Sequence, residues 1–188
     1  MTISHRTLTD PELHEPKGTS TATVGQVYAA DGAGSGDWSK PFKYVSVNRT
    51  FSTASPYTHV MTGTDTVLNP TVSTINNSEF TVQTSPNLRF RYDGGETLIG
   101  SAVMSANIMQ SSGGIKSIQI VLYKNGSQLA GSRMVVSANT AEWTQVLITH
   151  HLSLVDGDYI EVFAQDGGST SYNVDYAKFY FSIEGHVV

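Results

Sequence analysis

A chain of 188 residues with a formal charge of -5 is long enough for one domain and an appendage. Only 14% of its residues are charged, and Ser (22), Thr (21) and Gly (17) take their place, a composition that suits extended β-structure better than solvated helices. With no Lys/Arg cluster, no cysteine and no apolar run of about 18 residues, the sequence argues against nucleic-acid binding and membrane insertion, and excludes disulfides and thiol chemistry.

In Met1–Val24 there is no apolar h-region, so no secretory signal is expected. Up to Pro56 apolar residues stand singly among Thr, Ser, Gly, Pro and Asp, and Pro11, Pro16 and Pro41 interrupt any long helix. Residues 1–56 therefore read as an extended N-terminal arm that orders against something else, since Val27, Tyr28, Trp38 and Phe42 are more apolar than a solvated linker requires.

Residues 57–188 read as a head domain built from strand after strand. The spacing predicts strands at Thr58–Thr62, Glu79–Thr84, Leu88–Tyr92, Leu98–Met109, Lys116–Lys124, Ser132–Ser137, Glu142–Thr149, Asp158–Gln165 and Lys178–Glu184. Between them lie turn residues such as Asp93-Gly94-Gly95 and Asp166-Gly167-Gly168. Asn125-Gly126 is the strongest hairpin signal, because a type I′ turn needs positive φ at two successive positions. The fold class is all-β, a sandwich or barrel.

Several strands are apolar on both faces. Tyr159 and Phe163 oppose Ile160, Val162 and Ala164; Tyr176 and Tyr180 oppose Phe179, Phe181 and Ile183; Trp143 and Leu147 oppose Val146 and Ile148. A strand apolar on both sides needs a second cover, most simply another copy of the chain, unless the rings are singly exposed as surface aromatics commonly are.

Signals for chemistry are weak. The loop Gly32-Ala33-Gly34-Ser35-Gly36 lacks the Gly-Lys-Ser/Thr ending of a phosphate cradle, and no nucleophile elbow is present. His150 and His151 are strand neighbours that point to opposite faces, so they cannot chelate one ion together; either could meet its symmetry mates on an axis, or be an ordinary surface histidine. Asp156-Gly157-Asp158 lacks the spaced oxygen ligands of a calcium loop. Neither a catalytic residue, a cofactor nor a metal site is expected.

Two stretches carry a resemblance. Leu122-Tyr123-Lys124-Asn125-Gly126-Ser127, then Asp156-Gly157-Asp158-Tyr159-Ile160-Glu161 and the final Phe179-Tyr180-Phe181-Ser182-Ile183, resemble the C1q/tumour-necrosis-factor-like antiparallel jelly roll over roughly residues 58–188. Leu13-His14-Glu15-Pro16-Lys17-Gly18, followed by Gly25-Gln26-Val27-Tyr28 through Trp38, is similar to the leaders of tailed-bacteriophage decoration and head-fibre proteins. The first resemblance implies a homotrimer, with Tyr159 and Tyr180 at its interface and Phe163 and Tyr176 beside them. The second implies a non-enzymatic virion protein on the outer capsid surface, assembled in the bacterial cytoplasm. Its arm would hold the major capsid protein through Leu13, His14, Glu15, Pro16, Lys17, Val27, Tyr28 and Trp38. The alternative is a receptor-binding tip of a tail fibre or baseplate that recognises host glycan or protein; host-surface adhesion is also open to a decorating head.

Overall fold

The computed structural model describes residues 26–30, 36–39, 42–52, 54–111, 113–140, 142–168 and 171–188. The chain divides into two units, Met1–Pro41 and Phe42–Val188.

In the first unit, β1 (Val27–Ala30) and β2 (Gly36–Ser39) form an antiparallel hairpin with Tyr28 opposite Trp38. Their rings meet edge to face at 5.4 Å, and Gln26 Nε2 donates to the Trp38 carbonyl at 3.0 Å. A cross-strand aromatic pair of this kind is what holds so short a ribbon together.

The second unit is an antiparallel sandwich. In order along the chain its strands are β3 (Phe42–Thr50), β4 (Tyr57–Met61), β5 (Thr66–Val67), β6 (Ser73–Ser78), β7 (Phe80–Gln83), β8 (Arg89–Tyr92), β9 (Leu98–Gln110), β10 (Lys116–Lys124), β11 (Ser127–Gln128), β12 (Met134–Ala138), β13 (Thr144–Leu154), β14 (Tyr159–Asp166) and β15 (Tyr172–Val187). One sheet, here sheet I, runs β13-β9-β15-β3-β6 with β4 also on β15; the other, sheet II, runs β11-β10-β14-β8-β7 with β12 on β10 and β5 on β14. No helix occurs among the described residues.

Each expected strand is present, and Asn125 (φ 52°) with Gly126 (φ 76°) makes the two-residue turn between Lys124 and Ser127. The expected boundary after residue 56 falls too late. β3 pairs with β15 from Phe42↔His186 to Thr50↔Lys178, so the head begins at Phe42. The signal was there in the alternation Lys43-Val45-Val47 against Phe42-Tyr44-Ser46, but it sits among turn-forming residues.

The inward faces follow period 2. Val45 and Val47, Ala102, Met104, Ala106 and Ile108, and Phe179, Phe181 and Ile183 meet Ile118, Ile120, Leu122, Phe90, Ile160 and Val162 of the other sheet, all at 1% exposure or less. Phe90 stacks on Phe181 at 4.1 Å between centroids and ties the two sheets at their middle. In β15 the alternation breaks once: the register shifts between Tyr176 and Lys178, where Ala177 is a bulge. Before it Tyr172, Val174 and Tyr176 face the core; after it Phe179, Phe181 and Ile183 do.

Candidate assembly face

Sheet I turns a broad outward face to solvent. Cross-strand registry builds it in rows: Phe42–His186–Ile99–Ser153, then Tyr44–Glu184–Ser101–His151, Ser46–Ser182–Val103–Thr149, Asn48–Tyr180–Ser105–Leu147, and Thr50–Lys178–Asn107–Gln145. Small side chains fill the centre, and large apolar ones stand around them. Phe42 is 67% exposed, Leu147 53%, Ile99 45%, Tyr44 41% and Tyr180 37%. Apolar side chains gathered on one face, rather than scattered, make it the candidate contact surface.

At one end the face dips into a groove of about 970 Å³ lined by Phe42, Tyr44, Ile99, Ser101, His151 and Glu184. Its floor is set by Gly100 and Gly185, which are cross-strand partners. A Cβ on Gly100 would lie 2.1 Å from the Glu184 carbonyl oxygen, and one on Gly185 would lie 2.4 Å from that of Ile99, so both positions require glycine. Ser101 Oγ and His151 Nδ1 share a hydrogen bond of 2.9 Å within the groove. The remaining formal charges of the face stand at its far end, where Asp175 accepts from Thr58 Oγ1 at 2.6 Å.

Sheet II treats its outward face differently. Glu161, 2% exposed, accepts from Arg89 Nε at 2.8 Å and from Asn87 Nδ2 at 3.3 Å, and the Arg89 guanidinium lies over the Tyr159 ring at 4.5 Å. Tyr123 packs on Phe163 at 4.1 Å between centroids. Arg133 donates to both Asp65 oxygens at 3.1 and 2.7 Å, and also to Gln119 and Gln165 at 2.8 and 2.9 Å. Beneath this layer Val121, on the outward side of β10, is fully buried. Sheet II covers the centre of its outward face with its own side chains, leaving Val135 exposed on the edge strand β12.

The expected interface residues fall in three places. Tyr180 is on the outward face of sheet I. Tyr159 and Phe163 are half-buried on the outward side of sheet II, engaged with Arg89 and Tyr123. Tyr176 is a correction: it is fully buried inside a single chain, 5.7 Å from the Tyr57 ring, and burial pushes its hydroxyl above the ordinary phenol range. The Ala177 bulge is the reason, because one extra residue moves Tyr176 and Tyr180 to opposite faces although they are four positions apart. The four residues therefore do not form one patch. Phe42, Tyr44 and Ile99 went unrecognised as face residues because they come from separate strands, and only the pairing of β3, β15 and β9 brings them to one side.

Of the expected arm contacts, Val27, Tyr28 and Trp38 lie in the β1–β2 hairpin, while Leu13, His14, Glu15, Pro16 and Lys17 lie outside the described residues. Among the described residues no group of three or more His, Cys, Asp or Glu is placed to hold a metal ion. His151 faces outward from sheet I, whereas His150 pairs with core residue Ala102 and faces the other way.

No family model matches the chain, and no curated protein does. Solved structures with the same architecture do. The chain is similar to Eiger TNF from S. frugiperda, at 10% identity and a TM-score of 0.52 over 79% of this chain and 95% of that one. It is also similar to the PRD1 vertex protein P5 (11% identity, TM-score 0.46, 78% of this chain and 97% of that one). Murine APRIL at pH 8.5 aligns at 11% identity and a TM-score of 0.45, over 76% of this chain and 99% of that one. The fold is a TNF-type jelly roll.

Proposed function

We propose that this chain is a non-enzymatic structural protein of a tailed-phage virion, a homotrimer that decorates the outer capsid and is anchored to the major capsid protein by the residues before Phe42. The observation that carries the reading is the outward face of sheet I, where Phe42, Tyr44, Ile99, Leu147 and Tyr180 stand exposed on one side of an ordered sheet.

A second exposed apolar element, at the β12 edge, favours a ring over a two-fold dimer. On β12, which pairs only with β10 among the described strands, Met134 is 42% and Val135 58% exposed. A face on one copy and a different strand edge on the next make a heterologous contact, and heterologous contacts close by rotation into rings. Three arms per ring would then bind the lattice together through effective concentration, so modest contacts per arm suffice. The similarity of the leader Leu13–Trp38 to phage attachment leaders supports capsid anchoring, and the Tyr28–Trp38 pair supplies an apolar contact for it.

Two measurements test this reading. Light scattering should give a mass near three times 20.3 kDa. Removal of residues 1–41 should leave the oligomer trimeric, with a mass three times that of the shortened chain, and abolish co-sedimentation with capsids. A monomeric full-length chain would sink the assembly half of the proposal; a truncated head that still decorates capsids would sink the anchoring half.

A further inference from the structure

We infer that assembly through the outward face of sheet I is gated by pH, with His151 and His186 as the sensing groups; the inference rests on that face being the contact between copies. Both histidines line the groove, His151 on β13 and His186 on β15, with β9 between them. Glu184 and His151 flank Ser101 in one cross-strand row, and His186 lies two residues along β15 from Glu184 on the same side.

The other charges near the groove are already engaged. Lys43 turns inward to Glu79. Lys124 Nζ donates to the Ser153 carbonyl at 2.7 Å and is paired with Asp158 at 2.7 Å. Lys178 and Asp175 belong to the opposite end of the face, and Tyr44 is the remaining titratable neighbour. Among the described side chains the groove thus sets two imidazoles against one carboxylate, Glu184.

Covering the groove with a second copy removes water from all three. Ser101 Oγ partners the His151 Nδ1, and a neutral ring carries no charge into the covered face. One imidazolium could be offset by Glu184; the second would be a desolvated charge without a counterion. Assembly therefore binds fewer protons than the separated chains, and by linkage it strengthens as pH rises and weakens as pH falls through the imidazole range. Each proton released per chain changes the association constant about tenfold per pH unit, counted per chain.

The test is the assembly constant of the full chain by light-scattering dilution at about pH 7.5 and about pH 5.5, where histidine is the side chain that changes charge. Far-ultraviolet circular dichroism confirms that the head stays folded at both. The wild type should weaken about tenfold or more at the lower pH, and H151Q/H186Q should show at most about a threefold change. Equal assembly of the wild type at both pH values, or an undiminished pH effect in the double variant, overturns the gating alone. A wild type that is monomeric at both overturns the assembly reading beneath it.

Discussion

Sheet I and sheet II carry comparable numbers of large side chains on their outward faces, yet they dispose of them in opposite ways. On sheet II, Arg89 lies over Tyr159 and pairs with Glu161, Tyr123 covers Phe163, and Arg133 draws Asp65, Gln119 and Gln165 into one hydrogen-bonded layer. On sheet I, Phe42, Tyr44, Ile99, Leu147 and Tyr180 stand over a floor of serines, with Glu184 and the two groove histidines at one end. Aromatic content therefore does not distinguish the proposed contact face from a surface its own chain has covered. What distinguishes them is whether the chain supplies the partners itself, and the difference is open to attack from both sides.

The largest effect should come from a charge placed on the bare face. Tyr180→Asp would put an unpaired carboxylate into the proposed contact at a cost of about 4 kcal/mol, roughly a thousandfold in association. Light scattering should then give 20.3 kDa in place of three times that value. Tyr159→Asp, on the self-covered face, should leave the oligomeric mass unchanged. If Tyr159→Asp dissociates the protein and Tyr180→Asp does not, the two faces have been assigned the wrong way round.

Sheet II should fail differently, in folding and not in assembly. Arg89→Met strands Glu161, which is 2% exposed, without its charge partner, and should lower head stability by about 3 kcal/mol. Replacing both, as R89M/E161M, removes the orphaned charge and should recover most of the loss. Denaturant unfolding followed by far-ultraviolet circular dichroism reads both variants. A double variant as unstable as the single one would mean that the pair packs rather than compensates charge.

How far these two faces were legible in the sequence follows from the physics of period 2. The strands at residues 98–110, 116–124 and 159–166 were legible as strands, and no bulge breaks the direction of their side chains, so every second residue reaches the core. The Asn125-Gly126 turn announces itself because positive φ at both positions leaves few other residue choices. Tyr176 was misassigned because alternation carries no mark of a bulge, and Ala177 is an unremarkable residue to find in one. The cover on sheet II was invisible for another reason: Arg133 and Asp65, or Arg89 and Glu161, are joined across 68 and 72 positions of chain, and only the fold brings them together. The same is true of Ser101 and His151.

A moderate effect should come from the core beneath sheet I, and it separates folding from assembly on the pH axis. His59, on the inward side of β4, is held by Thr66 Oγ1 at 2.8 Å, and burial pushes its imidazole from 6.5 down to about 4. A folded value below the unfolded one favours the neutral form in the native state. Head stability is then complete above about pH 6.5 and declines by about 2 kcal/mol as pH falls toward 4. His59→Gln should flatten that decline in urea titrations of the monomeric Tyr180→Asp background, where assembly cannot contribute. An unchanged slope in H59Q would assign the acid sensitivity elsewhere.

The smallest expected effect sharpens the contrast within sheet II itself. Arg91 pairs with Asp93 at 2.6 Å on the same outward side as Arg89, but its side chain is 43% exposed and that of its partner 30%. Both ions keep much of their hydration whether or not they meet, so the pair gains little over water, about 0.5 kcal/mol or less. Arg91→Ala should therefore leave both unfolding midpoint and oligomeric mass close to wild type, two residues from a position where the equivalent change costs several times more. That pairing of results would establish that the cover on sheet II works by shielding one buried carboxylate, with the exposed ions around it contributing solubility. A large loss in Arg91→Ala would instead make the whole charged layer cooperative, and the boundary between the self-covered and uncovered faces would have to be drawn by network and not by burial.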